Sequence, residues 1–503
     1  MRVSVIGLGY VGLVTSAGFA EWGHDVTGVE IDPDRLATLR AGVIPFHEPG
    51  LNNMVAAHTA TGRLRFVGAA ELAVADADLV FIAVGTHDGD GGWQTHTIDS
   101  CIREIAPLMP RDGVLVVRST LPPEYVQHLP GLVSAARGSL TTAEISVLLN
   151  PEFTREGQAV HDFLSPERIV IGVATDWHHA GAARLAEAYR HAEAPILTMT
   201  AVDACFAKLG ANLFLATKIS FANELASLCE AHGADITRVV SAMSLDSRIG
   251  GEFLRAGIGF GGSCLPHQVA MAAQGKVAAN VPTPLMNAVW AVNNGQRTRY
   301  VDNLARLLGG SVSDRRIAML GLAFKPETDD LRESPALAIA EMLLEAGATV
   351  VAYDPMPDAR ERARSLVPGL EIAPTAIAAI GGSDVVALVT EWREFLDLDW
   401  RAAGELMSYP RVLDGRNVLD GAMLFHAGFL YSGVARRVSF DEEPPAVLPI
   451  SIGEPSGLPF PIEEPAHNTN GNGGATPAYG GASKYSEDVD HGASSMTESG
   501  LTR

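Results

Sequence analysis

One cysteine sits where a thiol could do covalent work. Cys264 follows Gly257-Ile258-Gly259-Phe260-Gly261-Gly262-Ser263, in a chain of 503 residues with four cysteines in all. Four glycines within six residues permit positive φ and a close approach of backbone to a ligand, which side chains resist. A thiol offered by such a loop is a candidate nucleophile, because sulfur is intrinsically nucleophilic and its thiolate needs only modest activation. A cysteine packed as a small hydrophobe beside a tight turn would show the same local pattern. The loop alone does not decide between them.

Two further patterns carry chemistry. Gly7-Leu8-Gly9-Tyr10-Val11-Gly12 is a GxGxxG run between a strand-like and a helix-like segment. In that context the glycines allow a tight turn and admit a pyrophosphate to the positive end of a helix. Glu30 closes the next strand, about twenty residues on, where an acid suits a ribose 2′-hydroxyl and repels a 2′-phosphate. NAD is therefore expected rather than NADP. Lys208 and Asn212 stand four apart, on one face of an Ala- and Leu-rich helical stretch. A lysine there is costly unless it is paired, functional, or long enough to snorkel to water.

The elements that must position these residues form a βαβ rhythm. Strands are predicted at 2–6, 26–29, 79–84, 114–118 and 145–149, alternating with helices. That rhythm implies a mainly parallel sheet with ligands beyond the carboxyl ends of its strands. Gly85-Thr86, Ser119-Thr120 and Asn150-Pro151-Glu152 follow three of those ends and are expected to face one crevice. A proline-free helix should run from Val202 to about His232, connecting domains and offering a dimer surface. A second α/β unit opens at Arg316-Ile317-Ala318-Met319-Leu320, with strands at 349–353, 385–390 and 412–414. It lacks the glycine fingerprint. Lys325, Arg332 and Arg416 follow its strands, where basic groups can meet phosphates or simply be solvated.

The fold class expected is α/β: two Rossmann-like, doubly wound parallel sheets joined by a long central helix, with a disordered C-terminal tail. The divisions are an NAD-binding domain over 1–200, a central helical dimerisation domain with the cysteine loop over 201–308, a second, Rossmann-like domain with basic groups for phosphates over 309–437, and the tail over 438–503. The tail is rich in Pro, Gly, Ser, Asn and acids. A formal charge of −22 argues against nucleic acid or an anionic membrane as the main partner. It leaves room for a small anionic ligand held by local arginines. The cysteines have no zinc spacing, so no metal is expected. Cys205 and Cys229 lie about 36 Å apart on one helix and cannot pair. A reduced, cytoplasmic chain without leader or membrane span is the expectation.

Taken together, GLGYVGL from Gly7, NPEFTREG over Asn150–Gly157, AKLGANLFLATKISFANE over Ala207–Glu224, GFGGSCLP over Gly259–Pro266 and GLAFKPETDDLRES over Gly321–Ser334 resemble the UDP-glucose/GDP-mannose dehydrogenase family over about residues 1–435. The resemblance implies NAD-dependent, four-electron oxidation of a sugar nucleotide's C6 alcohol to a carboxylate, with UDP-glucose the default and TDP-glucose or GDP-mannose open. It implies that Cys264 traps the aldehyde as a thiohemiacetal, which passes to a thioester and is hydrolysed. Lys208 then stabilises the C6 oxyanion, Asn212 holds that oxygen or its water, Glu152 helps activate water, and Thr120 positions it.

By the same resemblance Gly7, Gly9, Tyr10, Val11, Gly12, Glu30, Arg35, Gly85, Thr86, Thr120, Glu156 and Arg332 contact NAD. Glu152, Phe153, Lys208, Asn212, Arg248, Arg255, Gly259, Phe260, Gly261, Phe324, Lys325 and Arg416 lie near the substrate. One such arginine comes from a neighbouring subunit in the family, implying a homodimer or larger homo-oligomer. Two departures stand out: His267-Gln268 replace the family's usual Lys-Asp, and His87 stands where proline is common. The first leaves four outcomes open, namely His267 partly standing in for the aspartate, slow hydrolysis, another sugar nucleotide, or binding without turnover. A single-step alcohol dehydrogenase of the β-hydroxyacid type is a further reading that NADH stoichiometry separates.

Overall fold

Hydrophobic residues alternate faces along each strand, and that alternation places two cores on each of two sheets. The computed structural model describes residues 1–86, 92–138, 145–175, 178–277 and 281–437. His87 and the 438–503 segment, singled out above as a departure and a tail, lie outside the described residues. All described residues belong to one compact unit, Met1–Pro444.

The first sheet contains β1 (Arg2–Ile6), β2 (Asp25–Val29), β3 (Leu64–Val67), β4 (Leu79–Ile82), β5 (Val114–Val117), β6 (Ser146–Leu149), β7 (Ile169–Val173) and β8 (Ile196–Thr200). Their order is β3-β2-β1-β4-β5-β6-β7-β8, the doubly wound arrangement, which opens a crevice where the winding reverses between β1 and β4. On β4, Leu79 and Phe81 face one core while Val80 and Ile82 face the other. β7 runs antiparallel to β6 and the other pairings are parallel, so the sheet is mainly parallel, as expected. β3, β7 and β8 were not anticipated. β3 (Leu-Arg-Phe-Val) is only four residues long, and β8 is largely exposed, so neither makes the long apolar run that signals a buried strand.

The second sheet contains β9 (Arg316–Leu320), β10 (Thr349–Tyr353), β11 (Glu371–Ile372), β12 (Val385–Leu388), β13 (Arg411–Asp414), β14 (Leu430–Gly433) and β15 (Arg436–Arg437). Its order, β11-β10-β9-β12-β13-β14-β15, repeats the same winding. Only β14 and β15 are antiparallel, because the two residues joining them cannot make a parallel crossover.

Between the sheets runs the helix Ala201–His232, 32 residues long and therefore about 48 Å. Thr200 caps its start by accepting the Asp203 N–H at 3.1 Å, and Gly233 at φ +72° ends it. The helices Leu265–Ala273 and Pro284–Leu307 pack on it through Ala216, Val269, Met286 and Val289, together with Phe260 of the cysteine loop. Among the described residues no helix is long and apolar enough to cross a membrane, and no group of three or more His, Cys, Asp or Glu could hold a metal ion. All four cysteines are free thiols, with Cys264 exposed and the other three buried.

Candidate active site

Cys264 is the N-cap residue of the helix Leu265–Ala273, with Pro266 in the first turn. Four backbone contacts fix the loop before it. Gly257 N–H donates to Asn223 Oδ1 of the long helix at 2.8 Å, and Ile258 N–H to the Gly415 carbonyl at 3.1 Å. Phe260 N–H donates to Asn293 Oδ1 at 2.8 Å, and Gly262 N–H to the Arg332 carbonyl at 3.1 Å. The loop is thus tied to two helices and to the second sheet.

Its glycines serve this docking. A Cβ on Gly257 would meet the Gly415 oxygen at 2.8 Å, one on Gly259 would meet Asn293 Oδ1 at 2.7 Å, and one on Gly261 would meet the Glu333 oxygen at 2.4 Å. The close approach anticipated from the sequence is made here to protein. Gly259 and Gly262 also sit at positive φ.

Cys264 is exposed, yet protein packs closely around its sulfur. That enclosure raises its pKa; the Lys208 ammonium opposes the rise, and Glu152 adds to it. Ser263 Oγ lies 3.6 Å from the sulfur. Lys208 Nζ meets Glu152 Oε1 at 2.9 Å, and both residues are buried. The other Glu152 oxygen accepts the Thr154 N–H at 2.7 Å and the Thr154 hydroxyl at 2.6 Å. Burial alone would raise the Glu152 carboxyl, but Lys208 foremost, with Thr154 and Arg118, holds it below its ordinary range. The lysine is therefore paired rather than snorkelling. Asn212, one turn on, is buried with Nδ2 unpartnered. Phe153 is met by cations: Lys208 Nζ lies 5.4 Å and the Arg168 guanidinium carbon 4.0 Å from its ring centre.

The dinucleotide residues gather at the carboxyl ends of β1, β2, β4 and β5. Gly7 turns at φ +89°, and a Cβ on Gly12 would stand 1.9 Å from the Gly7 oxygen, so the first helix packs directly on the turn. Gly9 caps the helix Tyr10–Glu21 without a side chain, and a Cβ there would meet nothing within 4 Å. The protein leaves that space open beside unsatisfied helix N–H groups, which fits a dinucleotide pyrophosphate. Glu30 is buried, accepting the Asp32 N–H at 3.1 Å through one oxygen. Arg35 lies exposed at the start of the next helix, Pro33–Arg40. Thr86 Oγ1 donates to the Thr120 carbonyl at 2.8 Å, joining two of the strand-end segments expected in one crevice. Gly85 is exposed between them. Val11 opens the first helix beside Tyr10.

These observations give a prediction. Gly9→Ala is expected to fold with stability within about 1 kcal/mol of the parent, since the backbone there is extended at φ −67°, ψ −166°. It should raise the Kd for NAD at least about tenfold, because the methyl occupies the pyrophosphate's path. Calorimetric NAD titration checks this; unchanged affinity would remove Gly9 from the cradle.

Other assignments look different in three dimensions. The Tyr10 hydroxyl donates to Glu48 and accepts the Gly157 N–H at 3.0 Å, so it braces the protein. Arg248 is exposed and its guanidinium is taken up by Asp246. Arg416 donates to the carbonyls of Val389 (2.8 Å), Phe324 (3.0 Å) and Gly259 (3.4 Å), clamping the cysteine loop to the second sheet. Arg255 is exposed and lines a cavity of about 320 Å³ with Glu252, Thr237, Ser241 and Arg416.

Lys325 is half-buried and its pKa falls through burial, opposed by Glu156 and Glu48. Glu156 is pushed up to about 7 by burial and by Asp330, with Arg332 and Lys325 opposing. Arg332 in turn is 3.4 Å from Glu156 and bidentate on Asp330.

Several residues escaped the sequence reading. Glu48 is buried and accepts the Gly157 and Ala159 N–H groups at 2.6 and 2.7 Å, but its local sequence carries no pattern. Asn223 was legible in principle, since it lies eleven residues beyond Asn212 and returns to the same helix face. His267, which the sequence did single out, places Nε2 at 3.2 Å from the Gly92 carbonyl and its ring edge-on to Trp93.

Comparison with known proteins completes the picture. The UDP-glucose/GDP-mannose dehydrogenase family matches in three parts: its NAD binding domain over residues 1–193, its central domain over 202–295 and its UDP binding domain over 318–421. A UDP-glucose 6-dehydrogenase of Rhizobium meliloti is 39% identical over 444 residues, spanning 87% of this chain and 100% of the relative. The chain belongs to this family. UDP-glucose 6-dehydrogenase YwqF of Bacillus subtilis is 41% identical, over 87% of this chain and 98% of the relative. Among solved structures, a UDP-glucose dehydrogenase from the hyperthermophilic archaeon Pyrobaculum islandicum is 38% identical with a TM-score of 0.77, over 86% of this chain and 97% of that one. Membership makes the protein an NAD-dependent nucleotide-sugar dehydrogenase, and its glycine cradle and Glu30 fit that cofactor.

Proposed function

We propose that this chain oxidises the C6 alcohol of UDP-glucose to the carboxylate in two stages, through a covalent adduct on Cys264. The observation that carries the reading is an exposed thiol at a helix N-terminus, facing the buried Lys208–Glu152 pair. Bound NAD supplies the hydride acceptor, one molecule for each two-electron stage. Lys208 presents its ammonium to the C6 oxygen and stabilises negative charge there, while Asn212 donates through its unpartnered Nδ2. The Cys264 thiol loses its proton to solvent, the thiolate adds to the aldehyde carbon to form a C–S bond, and the carbonyl π pair becomes an oxyanion held by Lys208. The carbon is now tetrahedral and carries a C–H bond that the collapsing oxyanion can expel as hydride. Oxidation of this adduct leaves a thioester. Water then adds to its carbon, Glu152 takes the water's proton, and the C–S bond breaks to return the thiolate. Turning Lys208 toward the oxyanion removes the charge that keeps Glu152 acidic, so Glu152 gains basicity when water must be deprotonated.

UDP-glucose is the substrate named for several relatives at 37–41% identity, which supports it over TDP- and GDP-sugars. The expected outcome is two NADH per sugar consumed, with kcat/KM highest for UDP-glucose among the three nucleotides. One NADH per sugar would overturn the two-stage reading and favour a single-step alcohol dehydrogenase. Binding without NADH would favour a protein that only binds.

The same reading includes a homodimer. Phe206, Phe214, Phe221 and Leu228 are 47%, 65%, 50% and 58% exposed along the long helix, and their spacing keeps them within one sector of its surface. An apolar stripe about 33 Å long, on the element joining both sheets, suits a second copy of the chain. Sedimentation velocity is expected to give twice the chain mass, falling to the chain mass in Phe214→Asp/Phe221→Asp. A monomeric parent would refute it.

A further inference from the structure

Gln268 lies one helical turn beyond Cys264, its N–H donating to the Cys264 carbonyl at 3.1 Å, so the two side chains leave the same helix face. It is 1% exposed, and neither its Oε1 nor its Nε2 has a partner. Buried amides are ordinarily paired, so one with both ends unused beside a reactive group asks for a reason. Asn212, on the long helix one turn after Lys208, has its Nδ2 alone buried and unpartnered. The two helices pack together through Ala216, Val269 and Ala272. An amide thus stands one turn behind the thiol and another one turn behind the ammonium.

The charges facing Cys264 come from three elements. Lys208 is on the long helix, Glu152 and Glu156 follow β6, and Arg332 precedes the helix Pro335–Glu345. The thiol's own helix has no acidic residue in its first turn, and its His267 turns toward Gly92. Both cations already have carboxylates: Lys208 has Glu152, and Arg332 has Asp330 and Glu156. A further anion at position 268 would compete for Lys208 and oppose the thiolate at short range.

We propose that Gln268 is a further working residue of the thiol site: an uncharged amide that leaves Lys208 to be shared between Glu152 and the Cys264 thiolate, and that with Asn212 receives the water needed to release the product. This rests on Cys264 being the nucleophile. It also gives the departure at 268 a physical sense, because the site trades a carboxylate for a more easily ionised thiol and relies on Glu152 as its base.

The test is the pH dependence of iodoacetamide alkylation at Cys264 in the full-length chain, followed by peptide mass over pH 6–10. The other three cysteines are buried, and a carboxylate at 268 would be ionised over the upper part of that range even if burial raised it. Gln268→Asp is expected to move the thiol midpoint up by about one to two pKa units, slowing alkylation at neutral pH at least about tenfold. Gln268→Leu should leave the midpoint unmoved but slow acid release relative to NADH formation by about tenfold to a hundredfold, with the thioester visible in the intact mass. The proposal fails if the Asp profile overlies the parent, if the Leu profile shifts as far as the Asp one, or if the Leu variant releases acid at the parent's rate. Two NADH per sugar from Cys264→Ala would end the nucleophile reading without touching these profiles. Coincident profiles with an inactive Cys264→Ala would end only the role of Gln268.

Discussion

Replacing Cys264 by alanine is expected to abolish formation of the sugar acid, lowering its rate on the order of 10⁴-fold or more. Without the thiol the aldehyde carbon cannot reach the tetrahedral state from which a second hydride departs, so NADH should not exceed one per sugar. Folding should be little affected. The side chain is exposed, and its one hydrogen-bond contact is Ser263 Oγ at 3.6 Å. The loop is held instead by backbone bonds to Asn223, Gly415, Asn293 and Arg332. Quenched-flow counting of NADH and acid, with a thermal melt as control, checks the expectation. A variant that still yields two NADH would remove the cysteine from the reaction.

Lys208→Met carries the second-largest effect, in two currencies. Loss of the ammonium at the developing oxyanion should lower kcat by about 10²–10³-fold. Stability should also drop, by about 3–5 kcal/mol, because Glu152 is left as a buried carboxylate without its cation. The pH dependence gives the sign. In the parent, the folded Glu152 carboxyl sits below its ordinary 4.5, so its pairing contributes fully above the unfolded pKa. That contribution is lost as pH falls through the folded value. Without Lys208 the largest influence left is burial, which raises the folded pKa above 4.5, and the variant should gain stability as pH falls from 7 toward 4.5. Across that window the variant's melting temperature should therefore rise as pH falls while the parent's Glu152 contribution stays level, once other titrations are subtracted with Glu152→Gln. Parallel trends would show that Lys208 is not what holds the carboxylate ionised.

Much of the frame was legible before any coordinates. Two α/β units and a long Ala-rich helix followed from hydrophobic periodicity, and the glycine fingerprint with Glu30 followed from spacing. These are local signals, and a strand or helix that buries its own pattern announces itself. Short or exposed strands such as β3, β8 and β11 did not, because their neighbours rather than their composition hold them in the sheet.

At the site the division falls between identity and employment. Sequence marked Cys264 by its glycines, Lys208 by the cost of an amine in an apolar helix, Asn212 by its spacing from Lys208, and Glu152 by its place after a strand end, and the family resemblance gave them their roles. Only the tertiary structure decided how each is used. It paired Lys208 with Glu152, spent Arg416 on three carbonyls, gave the Tyr10 hydroxyl to Glu48, and set the loop glycines against protein. Those choices depend on distances between segments far apart in the chain, and no local pattern encodes a contact between Gly259 and Asn293 or between Arg416 and Phe324. Gln268 shows the difference most plainly. In the sequence it is a substitution beside a cysteine; in the fold it is an uncharged amide buried one turn behind the thiol, with its donor and acceptor both unspent.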